Sequence, residues 1–248
     1  MKFKDHFSEQ AGDYARYRPD YPEALFAFLA QSVTRHELAW DCGTGNGQAA
    51  LGLAAHFDRV IATDPSQNQI QNAVRHEKIH YSVVPAEQTG IPSRSVDLIT
   101  VAQALHWFDV EAFYAEARRV ARPGALLVVW NYPRPEFVDP ELDRRFLDFY
   151  SDVVGPYWPP ERRHIEANYR TLSFPFEELP HPEFGIELRW NLDQVAGYVS
   201  SWSATARYRK AEGHDPVPLL RQALAPVWPP AGSADVRMPI GLRAARLP

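Results

Sequence analysis

The sequence lacks most features of secreted, metal-bound or membrane-embedded proteins. Cys42 is the only cysteine among 248 residues, so neither an intrachain disulfide nor a thiolate metal cluster can form. The nine histidines are scattered along the chain, and we assign no metal. The longest apolar run, Ala125–Trp130, is far shorter than the roughly 20 residues of a membrane-spanning helix. The first fifteen residues hold no signal-peptide-like apolar stretch, and we expect a cytoplasmic protein without a membrane partner.

The charge balance lacks the basic excess that binding along a nucleic acid requires. Lysine and arginine number 26 against 31 acidic residues, a formal net charge of −5. We therefore expect no nucleic-acid partner. The composition that is present, 45% hydrophobic and 23% charged, is that of a globular chain long enough to bury a full core.

The sequence pattern changes near residue 131. Before it, short apolar runs alternate with helix-like segments, which predicts a parallel sheet with helices on both faces. The predicted strands there are Leu38–Cys42, Val60–Thr63, Tyr81–Val84, Val96–Val101 and Ala125–Trp130. After it, the chain holds sixteen of the 22 prolines. Helix-like pieces remain near 140–154, 192–206 and 216–226, with predicted strands at Glu183–Trp190 and Val236–Leu247 that complete the same sheet.

Local signals mark the helices of the first part. An apolar stripe runs along Gln48–Phe57. Ser66 is an expected N-cap, with Gln69 three residues later as its capping-box partner. Asp109 is expected to cap a third helix, which Pro123-Gly124 would end.

The glycine-rich stretch Asp41–Gly47 is the most informative part of the sequence. It reads Asp-Cys-Gly-Thr-Gly-Asn-Gly between a predicted strand and a predicted helix. Glycine lets a backbone turn sharply and approach a ligand closely, and open parallel sheets bind ligands at this edge. A plain strand-to-helix turn is the alternative, which three alternating glycines disfavour.

The residues around this loop discriminate between ligands. Gln48 stands where a dinucleotide fingerprint has its third glycine, and a carboxylate at Asp41 would repel a pyrophosphate. Asp41 suits a ligand with an ammonium group, such as S-adenosylmethionine, which carries no phosphate. Asp64 ends the second strand and can accept hydrogen bonds from ribose hydroxyls. That feature is shared with NAD-binding proteins, and Asp64 can also belong only to the turn before Ser66.

With these residues the sequence resembles the class I S-adenosylmethionine-dependent methyltransferases. Within them it is similar to the type 11 small-molecule methyltransferases, including the trans-aconitate methyltransferase-like group. The likeness covers nearly the whole chain, and its motifs are Asp41–Gly47, Asp64, Ala86-Glu87, Gln103–Phe108, Ala121–Gly124, Arg18–Pro22 and Ser201–Ala204. It implies an α/β Rossmann-like fold with a mostly parallel seven-stranded sheet, helices on both faces and a helical insert in the C-terminal half.

The resemblance also implies a division of the chain into functional regions. We expect one domain over 1–248, with a helical lid at 1–36, a cofactor-binding core at 37–131 and helical insertions at 132–183 and 192–230 that cap the substrate. Ala125 stands where the family often has a second glycine. The insert after residue 131 has no motif that identifies a methyl acceptor.

S-adenosylmethionine is the implied cofactor, and S-adenosylhomocysteine the implied product. The residues implied to bind it are Asp41, Gly43, Thr44, Gly45, Gly47, Asp64, Pro65, Ala86, Glu87, Gln103, Ala104 and His106. On the acceptor side we expect Tyr17, Arg18, Trp107, Trp130 and Trp202. For Trp130 and the other aromatic residues, core packing is the alternative.

No residue is assigned with certainty to proton transfer. His106 is the one candidate base, and we favour the alternative that it hydrogen-bonds locally and shapes the pocket. A sulfonium is an activated methyl donor, so positioning supplies much of the rate, and a base is needed only when the acceptor must lose a proton.

The predicted function is methyl transfer to a small organic molecule, with carboxylic acids among the candidates, by a monomer or weak homodimer. A non-catalytic protein that binds the same cofactor is one alternative. An NAD(P)-dependent oxidoreductase is another, and Gln48 and Asp41 argue against it.

Overall fold

A computed structural model describes residues 18–248, so Tyr17 lies outside the described residues. The described residues form one eight-stranded sheet. Its strands are β1 (Leu38–Cys42), β2 (Arg59–Asp64), β3 (Ile79–Val83), β4 (Val96–Ala102), β5 (Ala121–Asn131), β6 (Glu136–Phe137), β7 (Phe184–Trp190) and β8 (Ala234–Arg246). The order is β3-β2-β1-β4-β5-β8, and both β6 and β7 pair with β8.

Helices fill the connections between these strands. The helices are α1 (Glu23–Gln31), α2 (Gln48–Ala54), α3 (Gln67–Gln71), α4 (Val110–Val120), α5 (Pro140–Asp148), α6 (Arg162–Glu166), α7 (Leu192–Ser200), α8 (Ser203–Glu212) and α9 (Val217–Leu224). Short 3₁₀ turns lie at Leu105–Trp107, Gly155–Tyr157 and Ala225–Val227, and a π-helical turn at Phe149–Val153 follows α5.

The first five strands are parallel and lie between two apolar layers. Successive side chains of β1 alternate, so Ala39 joins the layer that includes α1 and α2, while Trp40 joins the layer beneath α4. Every residue of β1 is buried. A sheet covered on both faces explains why its strands read as continuous apolar runs, and it confirms the predicted α/β architecture.

Strand β8 belongs to two parts of the sheet. Its end pairs antiparallel with β5, from Gly241 opposite Asn131 to Arg246 opposite Leu126. Its beginning, Ala234 to Ile240, runs past the carboxyl end of β5 and pairs with β7 instead. Seven residues of strand extend roughly 20 Å. This extension carries the segments around α5–α9 beyond the edge where β1, β2, β4 and β5 end.

Several local predictions are confirmed and others are wrong in detail. Ser66 Oγ accepts the Gln69 backbone N–H at 3.3 Å, and Asp109 Oδ1 accepts that of Ala112 at 3.2 Å, so both are N-caps as expected. The capping box expected with Gln69 is incomplete, because the Ser66 backbone N–H donates to Asp64 instead. Helix α4 ends at Val120, before Pro123-Gly124, because Ala121 already pairs with Val96 in the sheet. The register then shifts, and residues 122–125 form a bulge in β5.

The C-terminal half also departs from the predicted boundaries. The single helix expected near 192–206 is two helices, α7 and α8, separated at residues 201–202. Strand β6 adds an eighth strand to the seven expected. Within residues 18–248, no helix is both long enough and apolar enough to cross a bilayer.

Candidate active site

The glycine loop after β1 is fixed by its neighbours on both sides. Gly43 and Gly45 have φ angles of 68° and 56°, in the left-handed region. The Gly43 backbone N–H donates to the Thr63 carbonyl of β2 at 2.8 Å. A Cβ added at Gly43 would lie 2.5 Å from the Cβ of Ala104, which follows β4. Glycine is therefore required for the loops after β1 and β4 to touch.

Gly47 sets the start of α2. Its φ is 91°, and its backbone N–H donates to the Thr44 carbonyl at 2.9 Å. A Cβ at this position would overlap the Tyr81 hydroxyl, which comes from β3. The three motif glycines thus have separate structural reasons: Gly43 and Gly47 admit neighbouring side chains, whereas at Gly45 an added Cβ would have no atom nearer than 3.9 Å.

Asp41 is placed differently from the expectation of direct contact with a ligand. Its side chain is completely buried, and its carboxylate accepts hydrogen bonds from the Thr44 hydroxyl at 2.5 Å and the Thr100 hydroxyl at 2.8 Å. Burial is the main reason that its pKa rises to about 6, against the lowering effect of both hydroxyls. Asp41 therefore holds the glycine loop in place. Its negative charge acts on the crevice although its side chain is not exposed there.

Asp64 connects the end of β2 to the glycine loop. Its Oδ2 accepts the Gly45 backbone N–H and its Oδ1 accepts that of Ser66, each at 2.9 Å. The Ser66 bond is the turn interaction that the sequence left as an alternative, and the Gly45 bond is a further role. Pro65, which lies between Asp64 and Ser66 in the sequence, is half-buried.

The predicted adenine-side pair lies beside the start of α4. Ala86 is buried, and Glu87 accepts the Asp109 backbone N–H through Oε1 at 3.0 Å. The carboxylate of Glu87 thus joins the segment after β3 to the segment after β4.

Gln103 presents an unsatisfied acceptor at the end of β4. Its φ is 58°, which is unusual for a residue other than glycine. Its backbone N–H donates to the Trp130 carbonyl at 2.9 Å, and its Nε2 donates to the Tyr132 carbonyl at 3.0 Å. The buried Oε1 has no hydrogen-bond partner among the described residues.

These features test whether the site fits S-adenosylmethionine. A buried acceptor without a partner matches the ammonium of the ligand's amino-acid tail, because an ammonium only donates. The glycine loop admits close approach of the backbone, and the charge of Asp41 beneath it favours a cation. The residues present therefore fit the cofactor.

A small cavity of about 70 Å³ adjoins Gln103 on the side of the extension. Among the predicted acceptor-side residues, Arg18, Trp107 and Trp202 line it, and so does His106. Trp130 is wholly buried and packs edge-on against Tyr21, with ring centroids 5.4 Å apart. It does not line this cavity, whereas Tyr132, two residues further on, does, and the assignment of Trp130 to the substrate stays a prediction.

Two arginines approach this cavity from separate parts of the chain. The Arg18 Nη1 donates to the Tyr132 hydroxyl at 3.4 Å, and its guanidinium lies 5.2 Å from the centre of the Tyr198 ring. Arg162 comes from α6, donates through Nε to the Tyr150 hydroxyl at 2.8 Å and also binds the Pro133 carbonyl.

Aromatic rings and the absence of carboxylates give the cavity its character. The Arg162 guanidinium stacks 4.4 Å from the Trp158 ring centre, a cation–π distance. The buried Trp158 Nε1 has no hydrogen-bond partner among the described residues. No described acidic residue lines the cavity. Outside the lining, Glu166 Oε1 lies 3.8 Å from Arg162 Nε. Arg18 and Arg162 are therefore the charged groups of the wall itself, which favours an anion.

His106 lies in the cavity wall and is held neutral. Its Nδ1 is 3.1 Å from the Tyr169 hydroxyl. Burial, followed by the charges of Arg162 and His164, lowers its pKa to about 3. A histidine this weakly basic does not collect a proton at neutral pH, in agreement with the favoured pocket-shaping interpretation.

The sequence pattern missed the acceptor-side residues of the insert. These are Trp158 and Arg162, which line the cavity, and Tyr169, which contacts His106, all within 132–183, together with Tyr198 in 192–230. Their only signal was the density of aromatic residues near Trp158-Pro159. Within residues 18–248, no group of three or more histidine, cysteine or acidic side chains is arranged to hold a metal ion.

A larger hollow lies at the other edge of the sheet. Its volume is about 490 Å³, and Arg35, Arg94, Arg122 and Asp97 line it where β1 and β4 begin. None of the residues expected to bind the cofactor lines it. Ligands of open α/β sheets bind at the carboxyl ends of the strands, so we assign the site to the crevice at the glycine loop.

Known proteins resemble this chain along most of its length. Residues 40–129 match the family model "Methyltransferase domain" (Methyltransf_11). A "putative methyltransferase" of Dictyostelium discoideum is 34% identical over 227 residues, covering 90% of this chain and 86% of that protein. Methyltransferase cfoB of Aspergillus candidus is 26% identical over 219 residues, covering 78% of this chain and 67% of that protein.

A solved structure agrees with the fold as well. The structure of a "putative type II methyltransferase" from Anaeromyxobacter dehalogenans has a TM-score of 0.87 and 46% identity, covering 94% of this chain and 99% of that one. The loop at Asp41–Gly47, the sheet order and the matched core agree with one another. The chain therefore belongs to the Methyltransf_11 family and is a class I S-adenosylmethionine-dependent methyltransferase.

Proposed function

We propose that this methyltransferase acts on a small organic anion, with a carboxylic acid as the favoured class of acceptor. The observation that carries the proposal is the pair Arg18 and Arg162 on one small cavity that no described acidic residue lines. Guanidinium groups bind carboxylates through paired, charge-assisted hydrogen bonds. The trans-aconitate-like branch that the sequence resembles stays a prediction consistent with this chemistry.

The cofactor is expected to lie along the crevice with its amino-acid tail at Gln103. Gly43, Gly45 and Gly47 would border it with bare backbone, Thr44 and Asp41 would fix the loop, and Asp64 with Pro65 would border the ribose. Ala86 and Glu87 would flank the adenine, and Ala104 and His106 would lie beside the methionine part. When bound, S-adenosylmethionine supplies a methyl group on a positively charged sulfur, and the C–S bond breaks with its electron pair left on sulfur.

The chain's own residues would position the acceptor and exclude water. A carboxylate oxygen already carries the lone pair that attacks the methyl carbon, so no residue has to remove a proton. Arg18 and Arg162 would orient that carboxylate, and Trp107 and Trp202 would wall the cavity against water. This division fits the neutral state of His106.

The regions outside the core would then act as covers. We propose that 132–183 and 192–230 form the substrate cap, and that the N-terminal part to residue 36 forms a lid, of which 18–36 is described. The extension of β8 supports the first assignment, because it carries these segments beyond the crevice edge.

Labelled transfer from a metabolite mixture tests this proposal. The protein would be incubated with methyl-labelled cofactor and a metabolite extract separated into anionic, neutral and cationic fractions. We expect label in the anionic fraction, in a product that mild base cleaves to labelled methanol, as a methyl ester does. Base-stable label in an amine or a carbon skeleton would contradict the acceptor class. Cofactor binding without label in any fraction would favour a non-catalytic binder.

A matched pair of variants tests the cationic end of the cavity. Arg162→Gln removes the charge that stacks on Trp158, and Arg163→Gln removes an exposed charge one residue further on. We expect the first variant to lose about tenfold or more of ester formation, the equivalent of one charge-assisted hydrogen bond. The second should resemble the unmodified protein, and equal effects of both variants would contradict the role of Arg162.

A further inference from the structure

His106 occupies a position from which only one of its ring nitrogens faces the cavity. The ring packs 4.6 Å from Trp107 and 5.9 Å from Tyr169, measured between centroids. Nδ1 lies 3.1 Å from the Tyr169 hydroxyl, away from the acceptor space. Nε2 is therefore the polar atom that the ring offers to the cavity it lines.

Tyr169 is held in place by its burial, its backbone conformation and two backbone hydrogen bonds. It is completely buried, and its backbone takes a φ of 59°, which is costly for a side chain of this size. Its N–H donates to the His164 carbonyl at 2.7 Å, and Arg243 donates to its carbonyl at 3.0 Å. These contacts hold the phenol under His106.

The protons of this contact can be assigned from the burial of the phenol. The Tyr169 side chain is completely buried, and among the described residues His106 Nδ1 is the one acceptor within hydrogen-bond distance of its hydroxyl. A buried hydroxyl proton needs an acceptor, so the hydroxyl donates to Nδ1. A neutral imidazole carries one N–H, which then belongs to Nε2.

The charges that face the ring act in the same direction. Arg162 and His164, both on α6, disfavour a positive charge on His106, and burial disfavours it further. No described carboxylate contacts the ring, so nothing compensates a second proton. The imidazole remains a neutral ring with a bare Nδ1 and a protonated Nε2.

We propose that His106 is a hydrogen-bond donor to the acceptor's anionic oxygen through Nε2–H, and that Tyr169 is the positioning residue that holds this tautomer. The inference rests on the proposed acceptor class and deepens it. A donor beside Arg18 and Arg162 recognises an oxygen with free lone pairs. It gives no assistance to an amine or an alcohol that has to lose a proton before it is methylated.

Nuclear magnetic resonance of histidine labelled with ¹⁵N tests the tautomer directly. The His106 signals are assigned as those missing from the His106→Gln spectrum. We expect a proton on Nε2 and a bare Nδ1 at pH 7, unchanged between pH 5 and pH 8. A proton on Nδ1, or titration at the ordinary histidine value, would overturn the inference. The free protein suffices, so this result does not depend on finding an acceptor.

Tyr169→Phe tests the positioning role within the same experiment. It removes the hydroxyl and keeps the ring, and we expect the spectrum to show a mixture of both tautomers. An unchanged spectrum in a folded variant would show that Tyr169 does not hold the tautomer. Retained cofactor binding is the check that the variant is folded.

Two further variants separate a donor from a base in the labelled-extract assay. In His106→Gln the side-chain amide reaches the region of Nε2 and can still donate a hydrogen bond, but it cannot act as a base. In His106→Asn the shorter side chain places the amide only in the region of Nδ1. We expect the Gln variant to keep at least a tenth of the ester yield and the Asn variant to lose severalfold more. If both are equally inactive, His106 does not act as a donor.

Discussion

Asp64 and Gly45 are joined by a 2.9 Å hydrogen bond, so the end of β2 holds the glycine loop at the end of β1. A residue expected to contact the ribose is therefore also a support for the loop. The sequence alone indicated the first role and gave no sign of the second.

Asp64→Ala is expected to weaken both cofactor binding and folding. It removes the acceptor for two backbone N–H groups, and an unsatisfied buried donor costs about 1–3 kcal/mol. We expect the free energy of unfolding to fall by about 2 kcal/mol in chemical denaturation. Asp58→Ala, an exposed carboxylate just before β2, is the control. Unchanged cofactor affinity in calorimetry would remove Asp64 from the site.

Gly43→Ala is expected to be far more damaging than Gly90→Ala. The two glycines have similar φ angles, 68° and 73°, so the cost of a left-handed alanine, about 1–2 kcal/mol, is common to both. At Gly90 a Cβ meets no atom within 4 Å, whereas at Gly43 it meets Ala104. Thermal denaturation and cofactor titration should show the difference, and the double variant with Ala104→Gly should recover part of it.

Cofactor affinity is expected to fall at acidic pH because of Asp41. Burial raises the pKa of this carboxyl to about 6, so below that value the free protein carries a neutral Asp41. A cationic ligand favours the ionised form, and its binding must then release a proton. We expect affinity to decrease from pH 7 to pH 5, by at most about tenfold per unit below pH 6. In Asp41→Asn the affinity should be lower and independent of pH over this range.

Stability is expected to decrease below pH 6.5 because of His106. Its pKa in the folded protein is about 3, against the ordinary 6.5, so between these values the unfolded chain binds the extra proton. Unfolding is then favoured by about 1.4 kcal/mol per pH unit, or about 2 kcal/mol at pH 5. Denaturation of His106→Gln across pH 5–7 should lack this contribution. Parallel curves for the two proteins would show that His106 titrates normally.

The sheet was predictable because its strands are buried on both faces. Leu38–Cys42 was predicted with the bounds that it has in the structure, since continuous apolar runs separated by helices are typical of parallel strands. The break between α7 and α8 was missed, because Ser201 and Trp202 are compatible with either a helix or a turn until their surroundings are known. The bulge in β5 depends in the same way on pairing with β4.

The candidate site likewise has a part that follows from local sequence signals and a part that depends on contacts between distant segments. The cofactor side follows from local backbone requirements, such as glycine at φ angles that other residues avoid. The acceptor side depends on contacts between distant segments, since Arg18, Arg162 and Tyr198 meet only after the extension has folded over the crevice. The sequence also could not tell which aromatic residue at the end of β5 reaches the cavity, which Tyr132 lines and Trp130 does not.

The split pairing of β8 has a consequence for how this enzyme can diversify. Strands β6 and β7 pair only with the part of β8 beyond β5, so no ladder of the sheet joins the acceptor side directly to β1–β5. Contacts such as that of Arg243 with the Tyr169 carbonyl connect the two sides instead. Replacing residues 132–230, together with the beginning of β8 (Ala234 to Ile240), by those of a relative should change which molecule is methylated. The methyl source would stay the same, because its loop and strands share no ladder with the exchanged segment.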